Sequence, residues 1–441
     1  MVTLTVENRD SVPPPLWRRA AAVTEFVLRV LAAVLQILAT VAVVQALAPS
    51  VAGIYFRGVV IAYGLAALLR GKYDLFVAQH FVDLRNSGLG PHARAVVRGL
   101  GIRVLIRSAL VCALLLVFTT DMDVMDVYLR PYLQTYLPFV LAVPFATVAL
   151  FLASTLRAVN HTLASVVVSS YGINVMIVIA AGTTAIVRPD APLFSVSWGF
   201  FIGCVLAAGM GVLLTRRVFE LPEGSQELKL DAKEWRDIYA SAAQNGVTGV
   251  ALAALQWGPI CVLAVLGTAV EIAQYAVVTR TAQIIDFLVP TVVFIPHSAT
   301  IRSRLCEAMQ SSRGKLAVDL LVSLATTSIF VVLVAVLTPW IVGWYGSAYS
   351  GLMILFGILF LTQWVNGACR PALRQLAADW DLRRIRRIMF VSMAGAILLS
   401  LVGIGQYGAI AAAVGMLAGA VLLHGQALLS VFRRAGVEGA R

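Results

Sequence analysis

Ala48-Pro-Ser-Val-Ala-Gly-Ile-Tyr55 and Gly267-Thr-Ala-Val-Glu-Ile-Ala-Gln-Tyr275 decide the fold, because each ends one long apolar run, turns, and opens another on a tyrosine. Tyr55 and Tyr275 stand 220 residues apart in a chain of 441, so the second stretch lies half a chain after the first. Working outward from them, runs of about twenty apolar residues, the length that crosses a bilayer, fall at 21–47, 54–82, 99–120, 131–156, 160–187 and 192–215. A second six follow at 238–266, 271–300, 316–338, 348–372, 386–405 and 407–432. Between the two sets lies the longest hydrophilic stretch, Arg216–Asp237.

Composition agrees with that division. Sixty per cent of the residues are hydrophobic and 13% charged, with a mean hydropathy of +0.88. A soluble domain has about 45–50% apolar residues and about 25% charged ones, so lipid must solvate much of this surface. The first apolar run is too long for a signal-peptide core and reads as a span. The five cysteines (Cys112, Cys204, Cys261, Cys306, Cys369) and five histidines are scattered without ligand spacing, which points to no metal and no disulfide framework.

The net charge of +12 does not indicate nucleic acid, because its distribution follows topology. Basic residues gather in alternate loops: Arg18 and Arg19; Arg85, Arg94, Arg98 and Arg103; Arg157; Arg216 to Arg236; Arg302 to Lys315; Arg383 to Arg387; and Arg433, Arg434 and Arg441. The opposite loops, Pro49–Gly53, Asp121–Asp126, Arg188–Ala191, Gly267–Glu271, Pro339–Ser350 and Gln406–Gly408, are nearly free of Lys and Arg. Under the positive-inside rule, both termini then lie in the cytoplasm. The expected plan is all-α: a tail at 1–20, helices one to six at 21–215, a linker at 216–237, helices seven to twelve at 238–432 and a tail at 433–441. A repeat of this kind gives two six-helix lobes related by an axis along the membrane normal, with a site in a central cavity between them.

Charged and amide side chains inside spans are costly and usually face a bundle interior or a cavity. Here they concentrate in the first two helices of each half. Glu25, Arg29, Gln36 and Thr40 share a stripe of the first span; Arg57, Arg70, Lys72 and Asp74 lie in the second. Asn245 and Gln256 fall on one face of the seventh, and Arg280, Gln283 and Asp286 step by three along the eighth. Arg280 has no acid at i±4 and lies about 15 Å from its outer loop, near mid-bilayer. Arg57, nearer the interface, can snorkel. Glu25/Arg29 and Arg70/Asp74 have the spacing of intrahelical ion pairs, and the amides that of interhelical hydrogen bonding. Asp286 reads as a partner for Arg280 or a protonation site, and Arg370 as reaching cytoplasmic headgroups. Pro259, Pro290 and Pro296 are expected to break or bend the seventh and eighth helices.

Several stretches resemble the polysaccharide-exporter branch of the MOP superfamily, the Wzx-type flippases. They are Leu47-Ala-Pro-Ser-Val-Ala-Gly-Ile-Tyr-Phe-Arg57 with Gly71-Lys-Tyr-Asp-Leu-Phe-Val77, Leu266-Gly-Thr-Ala-Val-Glu-Ile-Ala-Gln-Tyr275 with Phe294-Ile-Pro-His297, and Gly343-Trp-Tyr-Gly-Ser-Ala-Tyr349. Lacking a thirteenth and fourteenth helix, the chain looks less like the lipid II flippases of that superfamily. The resemblance implies V-shaped lobes in a bacterial inner membrane that move undecaprenyl-pyrophosphate-linked oligosaccharide outward by alternating access. It implies a cationic cavity of Arg280, Arg57, Arg29, Arg70 and Lys72, polar groups at Gln36, Asn245, Gln256 and Gln283, and coupling or charge partners at Asp286, Glu25 and Asp74. It implies no cofactor beyond proton or sodium coupling, and as partners the lipid bilayer, the lipid-linked oligosaccharide and polysaccharide polymerase or export machinery. Val60 and Val277 stand where a symmetric clamp would place charges.

Three rival readings compete. A MATE-like multidrug or metabolite antiporter would favour acidic cavity groups. A major-facilitator transporter would carry its G-x-x-x-D-[RK]-x-G-[RK]-[RK] loop, where this chain reads Asp83-Leu-Arg-Asn-Ser-Gly88. A glycan polymerase or ligase would need catalytic groups on a large outer loop, and every outer loop here is short.

Overall fold

The computed structural model describes residues 16–86, 90–120, 126–159, 161–187, 192–219, 230–293, 312–378 and 382–438, which are helical almost throughout. Fourteen helices follow in order: α1 (Leu16–Ala46), α2 (Pro49–Asn86), α3 (Gly90–Thr120), α4 (Asp126–Ala158), α5 (Thr162–Val166), α6 (Gly172–Val187) and α7 (Pro192–Val218). The second half contributes α8 (Ala232–Leu266), α9 (Ala269–Val293), α10 (Ser312–Tyr345), α11 (Met353–Ala368), α12 (Arg370–Ala378), α13 (Leu382–Tyr407) and α14 (Ala409–Glu438). Helix is the expected answer in lipid, where every backbone N–H and C=O must be satisfied within the segment.

The 220-residue offset recurs in the helix ends. α1 ends at Ala46 and α8 at Leu266, while α2 begins at Pro49 and α9 at Ala269. Packing repeats as well. In the first lobe α4 packs on α2, α3 and α7, and α7 on α6; in the second α11 packs on α9, α10 and α14, and α14 on α13. Within its own lobe the first helix packs most against a later one, α1 on α6 and α8 on α13. Its other face crosses to the opposite lobe, α1 onto α9 and α8 onto α2. Small residues permit this closeness, as expected where no hydrophobic force draws helices together and packing must do so. A Cβ on Gly53 of α2 would overlap the carbonyl of Ala269 on α9, and one on Gly64 would lie 3.3 Å from Cys261 Sγ on α8. Tyr55 and Tyr275, the paired tyrosines of the repeat, are each only 1% exposed.

Ten described helices are long and apolar enough to cross a membrane, or eleven counting the bent pair Met353–Ala368 and Arg370–Leu376. The chain is therefore a multi-pass membrane protein. α9 completes the sequence's set of twelve; apolarity alone does not mark it, because Arg280, Gln283 and Asp286 sit in its middle. Two expectations need correcting, and one span carries a local irregularity. The tenth span, read as one helix over 348–372, turns by 44° between α11 and α12, with Cys369 at the break. The fifth carries a π-helical turn at Val167–Tyr171, where one inserted residue locally widens the helix. Pro259 does not break the seventh, since α8 continues as one helix to Leu266. Pro290 falls within α9, and Pro296 lies outside the described residues.

Single residues make the tight outer turns. Gly346 (φ 95°) ends α10 and Gly408 (φ 51°) separates α13 from α14, backbone conformations that only glycine adopts readily. At the α8–α9 turn, Thr268 Oγ1 accepts from Glu271 N (3.3 Å), and the Glu271 carboxylate accepts from Thr268 N (2.8 Å) and its hydroxyl (2.9 Å). This capping box fixes the start of α9. Glu271 also lies against Gly408, where a Cβ would meet its carboxylate, so two outer turns of the second lobe hold each other.

Candidate functional site at the lobe seam

The seam is built by the first two helices of each lobe, where the sequence concentrates its polar residues. On α9, Arg280 sits eleven residues from Ala269, about 17 Å along the helix axis. Its guanidinium carbon lies 5.7 Å from the centroid of Phe56 on α2, across the seam. Tyr55 and Tyr63 on α2 and Tyr345 on α10 are within its electrostatic reach. No carboxylate pairs with Arg280 among the described residues. Cation–π contact with Phe56 is worth about 0.5–1 kcal/mol and leaves the in-plane N–H donors for an anion.

Around Arg280 the seam is polar on one side and aromatic on the other. Gln36 Nε2 on α1 donates to Gln283 Oε1 on α9 (3.2 Å) and approaches the Arg280 carbonyl (3.5 Å). Thr40 Oγ1 donates to the Gln36 carbonyl (2.8 Å). Tyr63 stacks on Trp257 of α8, with centroids 5.9 Å apart and planes 19° apart. Nearer the Lys/Arg-rich side, Arg103 of α3 lies over Tyr239 at 3.6 Å and over Trp235 at 5.8 Å, pinning the start of α8 to the first lobe. The aromatic layer escaped sequence reading, although Phe56 and Tyr63 lie seven residues apart on one helical face, a signal that could have marked it.

Among the described residues the other expected cations, Arg29, Arg57 and Arg70, are engaged. Arg29 pairs with Glu25 at 2.6 Å, as the i,i+4 spacing suggests. Arg70 Nη1 donates to the Leu150 carbonyl on α4 (3.2 Å). Arg57 Nη2 donates across the seam to the Gly267 carbonyl at the outer α8–α9 turn (3.0 Å). Asp286 is not Arg280's partner: it accepts from Arg370 Nη2 at 2.8 Å, linking α9 to the α11–α12 break. Arg370 therefore does not reach for headgroups with that donor. A neighbouring guanidinium can neutralise a carboxylate only where the backbones place them, and the 44° break does so here. Gln256, the repeat mate of Gln36, is exposed and joins no amide pair in the described set. The side chains of Lys72, Asp74 and Asn245 lie outside the described residues.

Both members of the Asp286–Arg370 pair are about a third exposed (38% and 30%), and a pair whose open side faces water is worth about 1 kcal/mol or less. A double-mutant cycle on Asp286→Asn and Arg370→Gln, read by thermal unfolding in detergent, should return a coupling energy of that size. The reversed pair, Asp286→Arg with Arg370→Asp, should be more stable than either single reversal. Equal stability of all three reversals would show that the two side chains do not interact.

No protein-family model matches the chain, and no curated protein matches its sequence. Solved structures do. The lipid II flippase MurJ, in an inward closed conformation, superposes with a TM-score of 0.64 at 15% identity, over 93% of this chain and 87% of that one. The chain shares its fold with that flippase. A Vibrio cholerae MATE transporter, VcmN, matches with a TM-score of 0.58 at 14% identity over 95% and 96% of the two chains. A MOP superfamily transporter from Pyrococcus furiosus, described by the reversed polarity of its binding pocket, gives 0.53 at 10% identity over 95% and 96%. The fold shared with these transporters spans both lobes of the chain. The superposition covers 87% of the lipid II flippase chain, against 96% of the VcmN chain.

Proposed function

We propose that this protein is a MOP-type transporter, and that its cargo is an undecaprenyl-pyrophosphate-linked oligosaccharide moved outward across a bacterial inner membrane by alternating access. One observation carries the reading: Arg280 is a membrane-depth guanidinium on the seam with no carboxylate partner in the described set. A cation held at that depth is costly unless function requires it. A pyrophosphate supplies the compensating charge and accepts the guanidinium's paired donors, while its prenyl chain stays in lipid. Gln36 and Gln283 offer neutral hydrogen bonds beside it for sugar or phosphate oxygens. Proton coupling would act through Asp286 or Glu25, each of which now pairs with an arginine, Arg370 and Arg29, that protonation would release.

The test is reconstitution. Proteoliposomes carrying a fluorescent pyrophosphate-linked oligosaccharide should show transbilayer movement that protein-free vesicles lack, and the same lipid with a neutral head should not move. Movement of the neutral lipid at the same rate would remove the anion from the reading. Movement of a soluble metabolite with the lipid-linked cargo immobile would instead favour a MATE-like antiporter, for which the stacked Tyr63–Trp257 pair offers an aromatic surface.

A further inference from the structure

Two side-chain hydrogen bonds cross the seam near its Lys/Arg-poor side, and both run in the same direction. Gln45 Nε2, in the last turn of α1, donates to the Trp344 carbonyl in the last turn of α10 (2.7 Å). Arg57 Nη2, two turns into α2, donates to the Gly267 carbonyl just past the end of α8 (3.0 Å). Both donors belong to the first lobe and both acceptors are main-chain carbonyls at helix C-termini of the second. Those carbonyls have no partner within their own helix, so the opposite lobe supplies what the local fold cannot. In the 220-residue register the mates of Gln45 and Arg57 are Val265 and Val277, which donate nothing. Between the two bonds, Gly53 lets α2 meet the Ala269 backbone directly. The turn that carries the Gly267 acceptor is fixed by the Thr268–Glu271 hydrogen bonds, and Glu271 also lies against Gly408.

We infer that Gln45 and Arg57 form a one-sided outer latch: they close the seam on the Lys/Arg-poor face by capping orphan carbonyls of the second lobe, and they let go when the lobes part. Arg57 is thereby a gate residue rather than a headgroup ligand. The inference rests on the transport reading only in giving the opening a purpose; the latch itself is tested without cargo.

Cys261 is a native reporter. It faces Gly64 across the seam and lies six residues, about 9 Å, below Gly267. In protein whose other cysteines are replaced by alanine, reconstituted and sealed, a membrane-impermeant maleimide added on the outer side should label Cys261 slowly. Gln45→Ala with Arg57→Met should label about tenfold faster, the change expected when about 1.4 kcal/mol of closing free energy is removed. Arg57→Lys, which keeps a donor, should stay near the parent rate, as should the mirror variant Val265→Ala with Val277→Ala. Parent-rate labelling of the double variant, with full labelling after denaturation, would overturn the latch. That outcome would leave the cargo reading standing, because failure of that reading shows in the flipping assay and leaves the maleimide rates unchanged.

Discussion

Arg280→Ala should slow movement of the pyrophosphate-linked cargo by roughly 100-fold, with membrane insertion and thermal stability close to those of the parent. The size follows from the chemistry of the contact: hydrogen bonds to a charged group contribute about 1.5–3 kcal/mol, and 1.4 kcal/mol is tenfold. Stability should change little, because the side chain's described contact across the seam is the Phe56 ring, worth about 1 kcal/mol or less. Arg280→Lys should retain part of the activity, since a lysine restores the charge but not the planar fork that matches two phosphate oxygens. Arg280→Gln separates charge from hydrogen bonding and should behave like alanine. Flipping at the parent rate in the alanine variant would remove Arg280 from the mechanism and, with it, the main support for an anionic cargo.

How much of this arrangement the sequence discloses depends on the range over which each feature is determined. The helices are local: twenty apolar residues need lipid wherever they occur, and basic loops orient them. The repeat is legible too, because the turn chemistry that ends α1 and α8 is written twice at one spacing. Glu25–Arg29 is legible because one helix holds both partners. Asp286–Arg370 is not, since its partners are 84 residues apart and a helix break brings them together. Nor is the fate of Arg57 legible, because its acceptor is a backbone carbonyl with no residue-type signature. Sequence reading therefore located the charged helices but not the backbone carbonyls that Arg57 and Arg70 meet. Of Arg29, Arg57, Arg70 and Arg280, three have partners in the structure, and the remaining one carries the function proposed.

Gly53 should be the least replaceable small residue of the seam. An added Cβ there would overlap the carbonyl of Ala269 and lie 2.8 Å from its Cα. The obstacle is the backbone of α9 at its capped first turn, which has no rotamer to change. Overpacking of this kind costs about 1–3 kcal/mol, and the α9 end cannot retreat without disturbing the capping box and the Glu271–Gly408 contact. Gly53→Val should therefore lower the unfolding temperature by about 5 °C, expose Cys261 to the outer-side maleimide and abolish transport. Gly64→Ala is the matched control: its Cβ would meet Cys261 Sγ at 3.3 Å, a side-chain atom that can shift by a few tenths of an ångström, so it should fold and transport normally. Parent-like stability and labelling in Gly53→Val would mean that α2 and α9 do not meet on that side. Separation of the two effects, with stability retained and Cys261 exposed, would show instead that the molecule relieves the clash by parting its lobes. Close backbone approach at Gly53 would then be a requirement of the closed state alone.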